Sequence, residues 1–410
     1  MKRISIVTAL ILGILGADDP VVNKCLDCHL ELEEELAAPA ELFSQDIHFR
    51  LGFSCADCHG GDATTEDFDE AKSVEAGFIG VPEKIDVPGI CGRCHDDPAV
   101  MRKFNPNIPV DQTEKYWTSQ HGKSLKKGIT SVATCSSCHG IHGIFPKNDS
   151  RSRVYPGNVA ATCAECHGFK PLMDQFGLPT SVYDDYAESV HGIAVLERGD
   201  FSSPTCNDCH GNHGAMPPDV GSIKMVCGMC HANNYDLFRK TKMSQIFEIR
   251  GLHGCEVCHN NHRILHPSDE KVSVAEGGVC IRCHRPGDSG YAESQLMYTA
   301  LMRLKETISE AERKVSEAEN RGMNVSDALF DIQTATDALI RSRTMIHTFD
   351  AGEVQATAEP GIELALVALG KGEEAIVEHK NRRVWLGIST FFITFLSVIL
   401  YIYIKRIETE

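Results

Sequence analysis

Cysteine and histidine carry the chemistry in this chain, and a fixed spacing governs them. All 18 cysteines fall into nine Cys-x-x-Cys pairs, and a histidine follows every pair. In order the motifs are CLDCH at Cys25, CADCH at Cys55, CGRCH at Cys91, CSSCH at Cys135, CAECH at Cys163, CNDCH at Cys206, CGMCH at Cys227, CEVCH at Cys255 and CIRCH at Cys280. Two thiols at this spacing reach the two vinyl groups of one porphyrin, and the next residue is then held beneath its iron. Cys-x-x-Cys-His is accordingly the attachment pattern of c-type haem. Structural zinc and redox dithiols need the thiols but not a histidine in the next position, and a disulfide framework predicts no such regularity. The expectation is nine covalently bound haem c groups. Thioethers would form at Cys25, Cys28, Cys55, Cys58, Cys91, Cys94, Cys135, Cys138, Cys163, Cys166, Cys206, Cys209, Cys227, Cys230, Cys255, Cys258, Cys280 and Cys283. Proximal ligands would be His29, His59, His95, His139, His167, His210, His231, His259 and His284.

A haem iron has a second axial position, and eight further histidines lie in the same region: His48, His121, His142, His191, His213, His253, His262 and His266. They recur in register with the motifs. One repeat reads SQHGKSL…TCSSCHGIHG…TCAECHG, the next ESVHGIAVL…TCNDCHGNHG…VCGMCH, with a compressed copy RGLHGCEVCHNNHRILHP…VCIRCH and a looser one DIHFRLGFSCADCHGGD…ICGRCH. Each unit is a di-haem module with one histidine upstream and another just past its first motif. CLDCH stands outside the scheme. Nine irons thus meet eight histidines, and the front module carries Asp62 where the others carry histidine. Either His347, in TMIHTF, closes the count, or one iron keeps an open or differently ligated position. His379, near the apolar segment, reads as interfacial. No residue is marked as catalytic; Lys72 and Arg93 lie near the gap in sequence without further signal.

The elements that hold these residues follow from composition. The chain of 410 residues has a formal charge of −17 and only 7% Phe, Trp and Tyr, lean for its length. Porphyrin surface would replace much of the usual core. The acidity excludes phosphate-backbone binding, hence nucleic acid, and favours basic protein partners. Residues 1–17 have a basic start and a short apolar run, the order of a secretory signal peptide. Val384–Ile404 is uncharged and basic on both flanks, long enough for one transmembrane helix. Haem attachment is extracytoplasmic, so the span would leave KRIETE in the cytoplasm and the haems in the periplasm. Within it Gly387, Thr390, Thr394, Ser397 and Tyr401 share a stripe suited to another membrane helix, and hence to a homo- or hetero-oligomer.

After residue 290 the cysteines stop. Met297, Leu301, Leu304, Ile308, Ala311, Val315 and Ala318 alternate steps of four and three, a coiled-coil-like seam. Gly322 and Asn324 break it, Ser326 would cap a second helix to about His347, and a third would follow Pro360. The expected fold class is mainly α with much irregular loop: a multihaem cytochrome c core built from di-haem repeats, then long C-terminal helices and one transmembrane helix. Domains would be 18–290 for nine haems, 291–380 for the helices, and 381–410 for the anchor and tail.

The haem repeats, His-Gly pattern and trailing helices resemble membrane-anchored multihaem c-type cytochromes. More broadly they resemble the superfamily of pentahaem nitrite reductase and octahaem hydroxylamine oxidoreductase. That resemblance implies packed haem pairs, bis-histidine relay haems and, in the enzymes, one open haem. The Cys-x-x-Cys-Lys motif of the nitrite reductases is absent here. The expectation is therefore electron relay from the cytoplasmic membrane, between a quinol-linked membrane subunit and periplasmic or outer redox proteins. The alternative is reduction or oxidation of a small nitrogen or sulfur species at one open iron.

Overall fold

The computed structural model describes residues 22–216 and 226–409; the expected signal peptide lies outside them. Every regular element among the described residues is helical, and irregular stretches separate the short helices, as the composition leads one to expect. The chain divides into two compact units near residue 220. That boundary falls inside the stretch expected as one haem domain, so the last three motifs belong with the long helices.

In the first unit three of the six motif helices are single turns fixed by their own flanks. Cys55–His59, Cys135–His139 and Cys206–His210 are five residues each. The preceding Ser54, Thr134 and Thr205 cap them reciprocally with the second residue between the cysteines. Ser54 N–H donates to Asp57 Oδ2 at 2.6 Å and Thr205 N–H to Asp208 Oδ2 at 2.8 Å. This is a capping box compressed into the haem motif itself. Each turn ends on a glycine with positive φ: 67° at Gly60, 93° at Gly140 and 86° at Gly211. A Cβ on Gly60 would stand 2.0 Å from the carbonyl oxygen of Gly77, so both conformation and space require glycine there. The buried apolar clusters of this unit are small, Leu26 with Ala40 and Phe43, and Tyr116 with Leu125 and Val132.

The second unit is built on three long helices, Ser289–Asn320, Ser326–Met345 and Ala351–Thr409. All seven residues of the expected seam are buried, and Leu304, Ala311, Val315 and Ala318 are fully enclosed. The third helix runs parallel to the first, with Arg303 against Glu359 and Lys314 against Glu373. It runs antiparallel to the second, where Lys371 Nζ meets Asp331 at 2.6 Å and Gly361 lies on Ala335 and Ala338. Alanines and glycines at the seam allow this close approach.

Two boundaries differ from expectation. Val325, not Ser326, occupies the N-cap position, because Asn324 Oδ1 already accepts from both Ser326 N–H and its hydroxyl. The third helix begins nine residues before Pro360 and carries the proline internally. Burial of Ala358, Gly361 and Ile362 on either side offsets the lost hydrogen bond and the ring clash. The same helix continues through Val384–Ile404, the one segment of the described residues long and apolar enough to cross a membrane. Its large apolar side chains are exposed there. Thr390, Thr394 and Ser397 donate their hydroxyls to carbonyls one turn earlier in their own helix.

Candidate haem sites

The upstream histidines are positioned by a local device shared between repeats. Ser119 Oγ accepts from Gly122 N–H at 2.9 Å and donates to the Tyr116 carbonyl, placing His121 in the first turn of Gln120–Lys126. Ser189 repeats both bonds with Gly192 and Tyr186 around His191. The tyrosine hydroxyls then donate to the Ala133 and Pro204 carbonyls, two residues before Cys135 and Cys206, both at 3.0 Å. A Cβ on Gly122 or Gly192 would fall within about 2 Å of the tyrosine carbonyl oxygen. The pattern Tyr-x-x-Ser-x-His-Gly therefore ties a capping histidine to its motif. It was legible as YWTSQHG and YAESVHG, yet only the His-Gly part draws attention in sequence. In the front module a carboxylate does this work: Asp46 accepts from His48 N–H and Nδ1, both at 2.8 Å, and from Ile144 N–H.

Imidazole rings are brought together in pairs among the described residues. His48 faces His95 with ring centres 6.1 Å apart, His59 faces His142 at 5.8 Å, and His121 faces His167 at 6.1 Å. His139 faces His213 at 6.1 Å with planes only 9° apart, and His259 faces His347 at 6.2 Å, 19° apart. In each pair one partner is the last residue of a Cys-x-x-Cys-His motif and the other is not. One iron between two imidazoles, bonded at about 2 Å to each, sets their ring centres about 6 Å apart. Nδ1 is bonded to protein on one or both partners of several pairs: His59 to the Gly80 carbonyl at 2.8 Å, His48 to Asp46, His347 to the Thr344 carbonyl at 2.9 Å. That leaves Nε2 as the ligating atom and fixes the ring about it.

Charge state agrees. Burial pushes His139 and His259 down to about 4, and it also lowers His95, His121, His142, His167, His213 and His347. Each is neutral near pH 7, the form that ligates a metal. Burial holds the thiols of Cys58, Cys138 and Cys258 up at about 11, hence protonated. The donor set fits haem c at these positions.

The motifs also meet one another in chain order. In the first unit Cys25 interacts with Cys55, Cys58 with Cys91 and Cys94, Cys91 with Cys135, Cys138 with Cys163 and Cys166, and Cys163 with Cys206. In the second, Cys227 interacts with Cys255, and Cys258 with Cys280 and Cys283. Arginines clasp the two motifs of a module. Arg93 Nη2 donates to the Cys58 carbonyl at 2.8 Å, Arg153 to Ser137 at 3.2 Å, and Arg282 to Val257 at 3.3 Å.

The other expected ligands have protein partners of their own. His29 Nδ1–H donates to the Leu36 carbonyl at 2.9 Å, and His284 pairs with Asp288. His253 meets Glu256 at 2.5 Å. His266 is exposed, with Nδ1 3.1 Å from the Pro267 carbonyl. His191, His210, His231 and His262 are engaged with neighbours as well. The gap that sequence places at the CADCH motif is filled, because His142 from the next module faces His59. His379 lies on the third long helix.

Residues 47–168 match the family model for cytochrome c3. No curated protein and no solved structure matches the chain. The matched stretch holds four motifs and the pairs His48–His95, His59–His142 and His121–His167 complete. With the ring geometry, it supports an electron-transfer multihaem c-type cytochrome.

Proposed function

We propose that this chain is a membrane-anchored nonahaem c-type cytochrome whose haem units lie in the periplasm. It would relay electrons between a quinol-linked partner in the cytoplasmic membrane and periplasmic or outer redox proteins. Haem supplies one-electron exchange when bound. The residues do the rest. Paired imidazoles would hold each such iron from both sides, so a change of valence would need no ligand to arrive or leave. The Nδ1 bonds fix ring orientation, and the arginine clasps keep adjacent motifs at short range.

The observation that carries this reading is the approach of successive motifs within each unit, with Cys91 against Cys135, Cys163 against Cys206 and Cys227 against Cys255. Haems attached to motifs held this way would lie near enough for electrons to pass along the series. The exposed apolar helix and its basic flanks support the anchor. The excess of acidic residues, 57 against 40 basic, suits docking to basic partners. A reductive titration of the full-length protein in detergent tests the proposal. Nine electrons taken up per chain, with most of the iron low-spin in both states, is the expected result. Uptake of one or two electrons would contradict it.

A further inference from the structure

The capping histidines obey one register. Within the first unit, the histidine upstream of a module faces the second motif of its own module, as His48 faces His95 and His121 faces His167. The histidine three residues past a module's first motif faces the first motif of the module before: His142 faces His59, and His213 faces His139. Moved back one module, the same rule assigns the third residue past His59 to the motif at Cys25. That residue is Asp62.

The structure places the Asp62 segment against the motif at Cys25. Lys24 N–H donates to the Ala63 carbonyl at 2.8 Å, and Lys24 Nζ meets Glu66 at 2.8 Å. Cys25 lies within electrostatic reach of both Asp62 and Lys72. One carboxylate oxygen of Asp62 is held by Thr64, through its N–H at 2.8 Å and its hydroxyl at 2.6 Å. Lys72 is held over the rings of Phe68 at 4.6 Å and Phe78 at 5.9 Å. Among the described residues no imidazole faces His29, whose interaction is with the Leu36 carbonyl.

We propose that the haem carried at Cys25, Cys28 and His29 has no histidine cap and offers an exchangeable axial position to a small anion or diatomic molecule, beside Asp62 and Lys72. This rests on the multihaem reading and locates the open position that sequence places one motif later. A carboxylate is a weak axial ligand that water or a small anion displaces. Lys72 supplies the positive charge that an incoming anion needs.

The test uses the full-length protein in detergent, with haem content measured first. One high-spin ferric signal per chain is expected, and the reduced protein should bind one carbon monoxide per chain. Asp62→His should convert that signal to low-spin and abolish carbon monoxide uptake. Cys25→Ala/Cys28→Ala should remove the same site along with one haem, while Lys72→Ala should keep the high-spin signal and weaken cyanide binding severalfold. A full haem complement with no high-spin iron would overturn the proposal and leave the relay reading standing. So would a carbon monoxide site that survives both the Asp62 and the double cysteine substitutions. Absence of covalent haem would instead end both readings.

Discussion

Replacing His213 by glycine isolates what a capping histidine from the neighbouring module does. Its ring centre lies 6.1 Å from that of His139, with planes 9° apart, and both rings are neutral because burial lowers their pKa. His213→Gly deletes one imidazole and leaves His139 and its thioethers untouched. One of nine irons, about a ninth of the total, should then change from low-spin to high-spin. Carbon monoxide uptake by the reduced protein should rise by one per chain over the unsubstituted protein. The vacated space has the volume of an imidazole, so free imidazole at millimolar concentration should restore the low-spin spectrum. Electron paramagnetic resonance and carbon monoxide titration read both effects. His266→Gly is the control, since that ring is exposed and faces no other among the described residues. It should leave the spin count unchanged. If His213→Gly alters no spin state, or if His266→Gly alters it equally, the ring geometry does not report ligation and the register fails.

Further consequences concern the scaffold. Gly122→Ala drives a methyl to 2.1 Å from the Tyr116 carbonyl, so the Ser119 cap must open; the iron at His167 should show mixed spin while haem content stays unchanged. Leu304→Ala empties a fully buried site in the helical seam and should cost about 3–5 kcal/mol, read as a lower urea midpoint of the far-ultraviolet signal. Asp269 is buried between Arg343, at 2.7 and 2.8 Å, and Lys305 at 3.0 Å; its bonds to Arg343 lead in holding its carboxyl below the ordinary range. Because the folded value is the lower one, its contribution is complete above the unfolded value near 4 and is lost as pH falls through the folded value. The second unit should therefore lose urea resistance below about pH 4, and Asp269→Asn should flatten that dependence while costing about 2 kcal/mol at pH 7.

The local chemistry was legible in sequence and the pairing was not. Nine motifs are visible as strings because thioether attachment needs its residues adjacent. The seam from Met297 to Ala318 was visible because a helix repeats itself every turn, and all seven positions are buried. Ligation through the second axial position is a tertiary relation. His142 caps a motif of the previous module, so its partner cannot be read from its own repeat. For the same reason the proposed register moves the gap marked by Asp62 from His59 to the neighbouring His29. His347 lies beyond the last motif, in the turn between the second and third long helices, yet its ring faces His259. The helix through Pro360 was missed because breaking tendency is local, while the packing that overrides it comes from two other helices.

Intact mass of the denatured, unreduced polypeptide tests the central claim most directly. Thioether bonds survive denaturation, so the account predicts the mass of the chain without its signal peptide plus nine haems, with none of the 18 cysteines open to alkylation. A bare polypeptide mass with cysteines free to alkylate would contradict it.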